Sequence, residues 1–258
     1  MIVSIVTPIY NCSDFIGGAI ESVVEQSFQS WEMILVNDCS TDNSLAIAER
    51  YAAQDERIKV VELPVKSGAA FARNKAISMA KGRYIAFLDA DDRWLPCKLE
   101  KQIYFMQENE VPFSYTEYEK INSDGNVCGY IGVPEKVSYS ELLKTCYIGC
   151  LTAIYDTNYF GKVYMPEVRK RQDFALWLQL LKKVDFAYGV KESLAQYRVH
   201  SGSMSSNKLN ASKYTWKVYR EVEKLSFLKS VYFFSHYAVR GVLRKNYSRL
   251  AKRLRVLH

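Results

Sequence analysis

The stretch R-Y-I-A-F-L-D-A-D-D, residues 83 to 92, carries the clearest structural information in the chain. Its apolar run, Tyr84 to Leu88, lacks the alternation of a half-exposed strand and the length of a helix, so it predicts a buried strand. Asp89, Asp91 and Asp92 follow within four positions. Open α/β sheets bind ligands at the carboxyl ends of their strands, and a divalent cation would relieve the repulsion among three carboxylates. An acidic turn in which Asp92 caps the next helix explains the same residues, and the stretch by itself leaves both interpretations open.

Segments of strand-like and helix-like sequence alternate through the first 92 residues. Apolar runs at Ile2 to Ile9, Glu32 to Val36 and Ile58 to Leu63 precede the strand at 83–88, and helical spacing of apolar residues fills the intervals. This order predicts a parallel sheet with helices on both faces, the α/β class. Polar residues follow each strand, namely Thr7, Asn11, Asp38, Lys66 and Asp89. Because parallel strands end at one rim of the sheet, we expect these residues to gather there around a ligand crevice.

The pattern changes after a predicted helix from about Pro96 to Asn109. Short tyrosine-rich strands flank N-S-D-G at 122–125, which predicts a hairpin turn. Residues 150–155 and 186–200 have extended character, and R-Q-D-F-A-L-W-L-Q-L-L at 171–181 predicts a helix with its aromatic residues inward. We expect this mixed half to form a second wall beside the crevice.

The composition is that of a soluble globular protein of 258 residues, enough for one large domain or for one domain with an appendage. Six cysteines have no disulfide or metal-site spacing and predict reduced thiols in the cytosol. The apolar first ten residues lack a basic leader and a cleavage site, so no signal peptide is expected. No uninterrupted apolar run approaches the roughly 18 residues of a membrane span.

Positive charge is concentrated at the end of the chain. Residues 208–258 hold 13 Lys and Arg against 2 Glu, a net charge of +11, whereas residues 1–207 have a net charge of −4. At 100° per residue, the apolar side chains between 239 and 257 fall within an arc of about 80°, with basic side chains around the rest. This apolar set is Val239, Leu243, Tyr247, Leu250, Leu254 and Leu257. The pattern is typical of an interfacial helix on anionic lipid, with a helix packed on the body as the alternative, while the acidic remainder argues against nucleic-acid binding.

Four stretches in the first half form a specific combination. They are V-S-I-V-T-P-I-Y-N at 3–11, V-N-D-C-S-T-D-N-S at 36–44, G-A-A-F-A-R-N-K-A at 68–76 and F-L-D-A-D-D at 87–92. With them the chain resembles a family 2 glycosyltransferase of the GT-A fold, over roughly residues 1 to 205. The resemblance implies that residues 1–110 form the nucleotide-sugar-binding half of one domain and residues 111–207 its acceptor-binding half. Residues 208–258 are then an appended basic helical tail.

The resemblance also implies the reaction, an inverting transfer of a sugar from a UDP-linked donor. It assigns uracil binding to Asp38, the ribose or sugar to Asp89, and the base and diphosphate to Arg73. The full implied donor site is Thr7, Pro8, Tyr10, Asp38, Lys66, Arg73, Asp89 and Arg198. Asp91 of the D-x-D arrangement, with His200, would bind Mn²⁺ or Mg²⁺ on the diphosphate.

Inversion requires a base that takes the proton of the attacking acceptor hydroxyl. In families of this kind the base is the aspartate of an E-D pair before L-W, and Q-D-F-A-L-W at 172–177 matches it with Asp173. Gln172 replaces the glutamate, so the resemblance preserves the base and leaves the role of its neighbour unassigned. Trp177 is better explained as core than as a sugar platform.

The resemblance extends to enzymes that build bacterial surface polysaccharides, such as O-antigen or capsule. It implies transfer of a hexose or N-acetylhexosamine to a polyprenyl-diphosphate-linked saccharide, by a cytoplasmic enzyme held at the inner face of the cell membrane through its tail. A degenerate nucleotide-sugar-binding scaffold is the alternative. A nucleotidyltransferase is disfavoured because T-P-I-Y-N-C-S-D offers no glycine-rich basic phosphate loop.

Overall fold

The computed structural model describes residues 2–199 and 208–246. Its amino-terminal half has the predicted alternation of strands and helices. Four strands, β1 Val3–Ile9, β2 Trp31–Asn37, β3 Ile58–Glu62 and β4 Tyr84–Phe87, alternate with α1 Ile16–Val24, α2 Ser44–Ala52 and α3 Ala69–Met79. The strands are mutually parallel in the order β3-β2-β1-β4. The prediction of a parallel α/β unit is confirmed.

Both faces of these strands are covered, which explains their uninterrupted apolar sequences. Every residue of β2 and β4 is buried. Val6 and Ile34 belong to the core on the α3 side, whereas Ile5 and Met33 belong to the core on the α1 side. Side chains therefore still alternate between the faces of the sheet, but each face is a packed interior.

Residues 93–198 extend the same sheet. Their elements are β5 Arg93–Trp94, α4 Lys98–Glu108, β6 Phe113–Ile121, β7 Val127–Ile131, β8 Lys136–Val137, α5 Tyr139–Lys144, β9 Ile154–Asp156, α6 Thr157–Phe160, α7 Gln172–Leu181 and β10 Ala187–Arg198. The main strand order is β3-β2-β1-β4-β9-β6-β10-β5, with β7 paired to β6 and β8 to β10. Strand β9 is antiparallel to both β4 and β6, so it joins the two halves into one mixed sheet.

Two local predictions had different outcomes. The hairpin is confirmed: β6 and β7 are antiparallel, and Gly125 takes a positive φ of 87° in the turn between them. Residues 150–155 do not form one extended segment, because Cys150–Thr152 is a 3₁₀ turn that precedes β9. The Thr152 backbone N–H and side-chain hydroxyl both donate to the carbonyl of Gly149, at 3.0 and 2.7 Å, which closes the turn.

The described part of the tail is helical. It contains α8 Lys208–Lys217, a π-helical turn Val218–Val222 and α9 Phe227–Asn246. Helix α9 contacts α5, and Phe233 and Phe234 pack against the main core. Of the predicted amphipathic segment, residues 247–258 lie outside the described residues. Within residues 2–199 and 208–246, no helix has the length and apolarity needed to cross a membrane.

Candidate active site

The three carboxylates of the acidic turn after β4 differ in burial. The Asp92 backbone N–H donates to the Asp89 carbonyl at 3.0 Å, which folds the turn. Asp89 and Asp91 are half-buried, whereas Asp92 is only 2% exposed and accepts a hydrogen bond from the Arg198 backbone N–H at 2.8 Å. Burial, with the charges of Asp91 and Asp89, raises the pKa of Asp92 well above its usual range. Asp92 is therefore a buried support of the turn, and the other two carboxylates remain partly accessible to solvent.

Arg73 connects this turn to the start of α7. The side chain is 5% exposed; Nη2 donates to Asp89 Oδ1, and Nη1 donates to Gln172 Oε1 at 3.1 Å. The Gln172 amide donates to the Arg169 carbonyl at 3.2 Å, which directs its oxygen toward Arg73. Burial opposes the positive charge, but Asp89 and other groups outweigh it, so the pKa of Arg73 is raised. Gln172 therefore has a defined contact, because its side-chain oxygen holds the buried guanidinium of Arg73.

Asp173 is the next residue, in the first turn of α7. It is half-buried, and its negative charge contributes to the raised pKa of Arg73, so the carboxylate belongs to the same electrostatic cluster. The rest of α7 is anchored by Trp177, whose ring centroid lies 5.4 Å from those of both Phe87 and Phe113. Trp177 is a core residue, as the sequence favoured. This packing fixes the position of α7 and therefore of Asp173 in its first turn.

Asp38, at the end of β2, organises the loop that begins α3. Its two carboxylate oxygens accept the backbone N–H groups of Ser67 and Gly68, at 2.6 and 2.8 Å. Gly68 has a φ of 91°, which favours glycine at this position. These bonds place the loop beside the β2 end. Uracil binding by Asp38 stays a prediction.

The remaining residues of the implied base pocket differ in accessibility. Tyr10 is 43% exposed, and the Lys66 ammonium lies 3.8 Å from its ring centroid. Pro8 is half-buried, whereas Thr7 is fully buried and its hydroxyl has no hydrogen-bond partner in the described part of the chain. The structure therefore brings Tyr10 and Lys66 together on the rim and leaves Thr7 without surface for a ligand.

Arg198 lies on the other side of the acidic turn. The side chain is 3% exposed; Nε donates to the Asp91 carbonyl at 2.9 Å, and Nη1 donates to the carbonyls of Asn122 and Ser123 at 3.0 and 2.8 Å. It therefore ties the hairpin to the D-x-D turn. Contact with a diphosphate stays a prediction for Arg198, and His200 lies outside the described residues.

The side chains of the acidic turn fit a metal ion that binds together with the phosphates of a substrate. Among residues 2–199 and 208–246, no three His, Cys, Asp or Glu side chains cluster closely enough to hold an ion alone. Asp92 is buried, whereas Asp89 and Asp91 of the D-x-D spacing are half-buried, so Asp91 is accessible to a metal. Mg²⁺ and similar hard cations are commonly held by one or two carboxylates together with substrate phosphates. Asp91 fits that arrangement.

One residue of the site had no signal in the sequence. Cys150, at the start of the 3₁₀ turn, has a thiol whose pKa is raised by burial and by the charges of Asp89, Asp173 and Asp92. The thiol therefore lies near enough to these carboxylates for their charges to affect it. A cysteine outside any metal-type or catalytic spacing offers nothing in the sequence to indicate this position.

Comparison with known proteins shows the family of the chain. The model of the family "Glycosyl transferase family 2" matches residues 4–160. The chain is 49% identical over 95% of its length to the putative teichuronic acid biosynthesis glycosyltransferase TuaG of Bacillus subtilis, 97% of which is covered. It is 38% identical over 93% of its length to WfgD of Escherichia coli, 94% of which is covered. That protein is named a UDP-Glc:α-D-GlcNAc-diphosphoundecaprenol β-1,3-glucosyltransferase.

A solved structure provides the match in fold. Staphylococcus aureus TarS 1–349, in complex with UDP-GlcNAc, superposes with a TM-score of 0.73 at 20% identity, over 95% of this chain and 73% of that one. At this identity the superposition supports the fold alone. With the acidic turn, the mixed sheet and the family match together, the chain belongs to glycosyltransferase family 2 and has the GT-A fold.

Proposed function

We propose that the protein transfers a hexose or N-acetylhexosamine, with inversion, from a UDP-sugar to a lipid-linked saccharide in bacterial surface polysaccharide synthesis. The donor proposal is supported by the UDP-Glc named for the WfgD relative and the UDP-GlcNAc bound in the TarS structure. The acceptor proposal is supported by the diphosphoundecaprenol-linked saccharide in the name of WfgD and by the teichuronic acid role in the name of TuaG.

One observation carries the proposal: Arg73 bonds Asp89 on the donor side and Gln172 beside Asp173. An inverting transfer needs the leaving group and the base on opposite sides of the anomeric carbon, at a fixed separation. The buried guanidinium is a rigid link of that kind, because its two nitrogens hold the acidic turn and the start of α7 at once. A protein that only bound nucleotide would not need this connection.

In the proposed reaction the acceptor hydroxyl oxygen forms a bond to the anomeric carbon while the bond to the UDP oxygen breaks and its electron pair leaves with UDP. Asp173 accepts the hydroxyl proton. Asp89 and Arg73 orient the donor, and Asp91, with His200, would hold Mn²⁺ or Mg²⁺. When bound, the cation stabilises the negative charge that grows on the diphosphate.

Release of UDP tests the proposal directly. Wild type is expected to release UDP from a matching sugar donor with Mn²⁺ and an acceptor, and to slow sharply in EDTA. Asp173→Asn should lower kcat by about 100- to 10,000-fold with little change in donor affinity, because it removes the base and keeps the shape of the side chain.

A matched control is Asp185→Asn, since Asp185 is exposed and follows α7 at its other end. That variant should turn over like wild type. Normal turnover by Asp173→Asn would refute the base assignment. Binding of UDP-sugars without turnover by wild type, across a panel of donors and acceptors, would favour the scaffold alternative.

A further inference from the structure

Helix α9 packs on the catalytic body along one face. Ser230 is fully buried, and Phe233 and Phe234 pack against the main core. Two hydrogen bonds reinforce the contact, from Arg171 Nη2 to the Tyr237 hydroxyl at 2.6 Å and from Arg240 Nη1 to the Tyr147 hydroxyl at 3.1 Å. The helix is therefore a fixed part of the folded enzyme through this face.

The opposite face of α9 is apolar and exposed. We call it the outer face, and its large residues are Phe227 (61% exposed), Leu228 (80%), Val231 (44%), Tyr232 (51%), Val239 (59%) and Val242 (54%). At 100° per residue these six positions span an arc of about 140°. A helix that packs on a body through one face normally presents polar residues on the other, so a long apolar strip here indicates a surface that meets a partner.

The described part of this helical segment is basic. From 225 to 246 the chain contains four Lys and Arg and no Asp or Glu. The Lys144 ammonium of α5 lies 5.9 Å from the ring centroid of Tyr232. Burial and the nearby charges of Lys144 and Arg240 lower the pKa of His236 on the same helix. The partner must therefore tolerate apolar contact and carry negative charge.

We propose that the outer face of α9 lies on an anionic lipid bilayer, with Leu228, Val239 and Val242 inserted at the level of the headgroups. Apolar insertion with surrounding basic residues is the recognised mode of interfacial helices. A second copy of the chain fits less well, since a two-fold contact through this face would bring two basic, acid-free segments together.

This inference deepens the proposed function and rests on it for its purpose. A lipid-linked acceptor presents its sugar at the bilayer surface, and the helix is bonded through Tyr237 to Arg171, two residues before Asp173. Docking of the outer face would therefore hold the proposed base at a set height above the headgroups.

Vesicle binding by the full chain tests the docking surface. Wild type should sediment with vesicles of mixed phosphatidylglycerol and phosphatidylcholine, less with phosphatidylcholine alone, and less as salt rises. The double variant Leu228→Ser, Val239→Ser should partition about tenfold or more weakly, because two exposed apolar side chains are lost. The matched control is Tyr104→Ser, Tyr159→Ser, which removes two equally exposed side chains on α4 and α6 and should bind like wild type.

Several outcomes would overturn the assignment: equal vesicle binding by the α9 double variant, indifference to lipid charge, or a wild-type dimer in sedimentation that the variant dissociates. Thermal unfolding of the double variant should match wild type, since both positions are exposed. Turnover separates this proposal from the transferase proposal. The variant should match wild type on a water-soluble acceptor and lag on a vesicle-embedded one, whereas vesicle binding by a wild type that never releases UDP would refute the transferase alone.

Discussion

Two buried arginines, Arg73 and Arg198, flank the same acidic turn and use it differently. Arg73 donates to side chains, Asp89 and Gln172, whereas Arg198 donates to the backbone carbonyls of Asp91 and of the hairpin turn at 122–125. Their pKa values diverge accordingly. Despite burial, Asp89 helps to raise the pKa of Arg73, while burial and the charge of Arg93 lower that of Arg198.

This difference indicates that Arg73 acts in the reaction, whereas Arg198 supports the backbone on the other side of the acidic turn. A guanidinium that faces ionisable side chains responds to substrate charge and to protonation nearby. One that satisfies carbonyls fixes the backbone whatever the substrate does. We therefore expect substitutions at Arg73 to lower both turnover and stability, and substitutions at Arg198 to act mainly on stability.

The largest effect is expected for Arg73→Ala. The variant leaves Asp89 without its ion-pair partner and Gln172 without its donor, and it breaks the link between the turn and α7. We expect a loss of kcat/KM of about 100-fold or more and of about 3 kcal/mol in the free energy of unfolding. UDP release and urea denaturation measure the two quantities.

Arg73→Lys is the control, because it keeps the charge and loses the two-pronged geometry. Its turnover should lie between those of wild type and Arg73→Ala. Full activity of the lysine variant would mean that charge alone suffices and that the link to Gln172 has no catalytic role.

Arg198→Ala should have a smaller effect, mainly on folding. It removes three part-buried hydrogen bonds, to the carbonyls of Asp91, Asn122 and Ser123. The Asn122 carbonyl keeps a backbone donor, the Gly125 N–H, so the expected loss in the free energy of unfolding is about 2 kcal/mol. Denaturation without ligand gives this value, and calorimetry gives the affinity for UDP with Mn²⁺. The folded Arg198→Ala variant should bind UDP with nearly the affinity of wild type. A large loss of UDP affinity would mean that Arg198 also contacts the diphosphate, and the contrast with Arg73 would weaken.

Much of this contrast could not be read from the sequence. The parallel half was predictable because each strand and helix has its own apolar period, and strands that end in polar residues must share a rim. The pairing of Arg73 with Gln172 spans 99 positions and depends on where β9 joins the sheet and α7 packs on it. Sequence patterns report local structure, and such long-range contacts follow from the assembled fold.

The same limit applies to the contacts of Arg198 and to the position of Cys150. Arg198 ends a long strand, β10, and its position beside Asp91 arises from the register of that strand with β6. Cys150 enters the site because a three-residue turn replaces a predicted strand. Gln172 was visible in the sequence, because it replaces the glutamate of the E-D pair.

The smallest effect, and the sharpest test of the Arg73 side, is expected for Gln172→Glu. A carboxylate at 172 gives Arg73 a second ion pair, so the free energy of unfolding should rise by less than about 1 kcal/mol. The new negative charge also lies next to Asp173 and disfavours the ionised form of that carboxylate. A base must be deprotonated to act, so the acidic limb of the kcat/KM profile should move to higher pH. Gln172→Met, which adds no charge, is the control and should leave the limb in place. If the acidic limb of Gln172→Glu does not move, the titrating base is not beside Arg73. The proposed role of Arg73 in turnover would then be refuted.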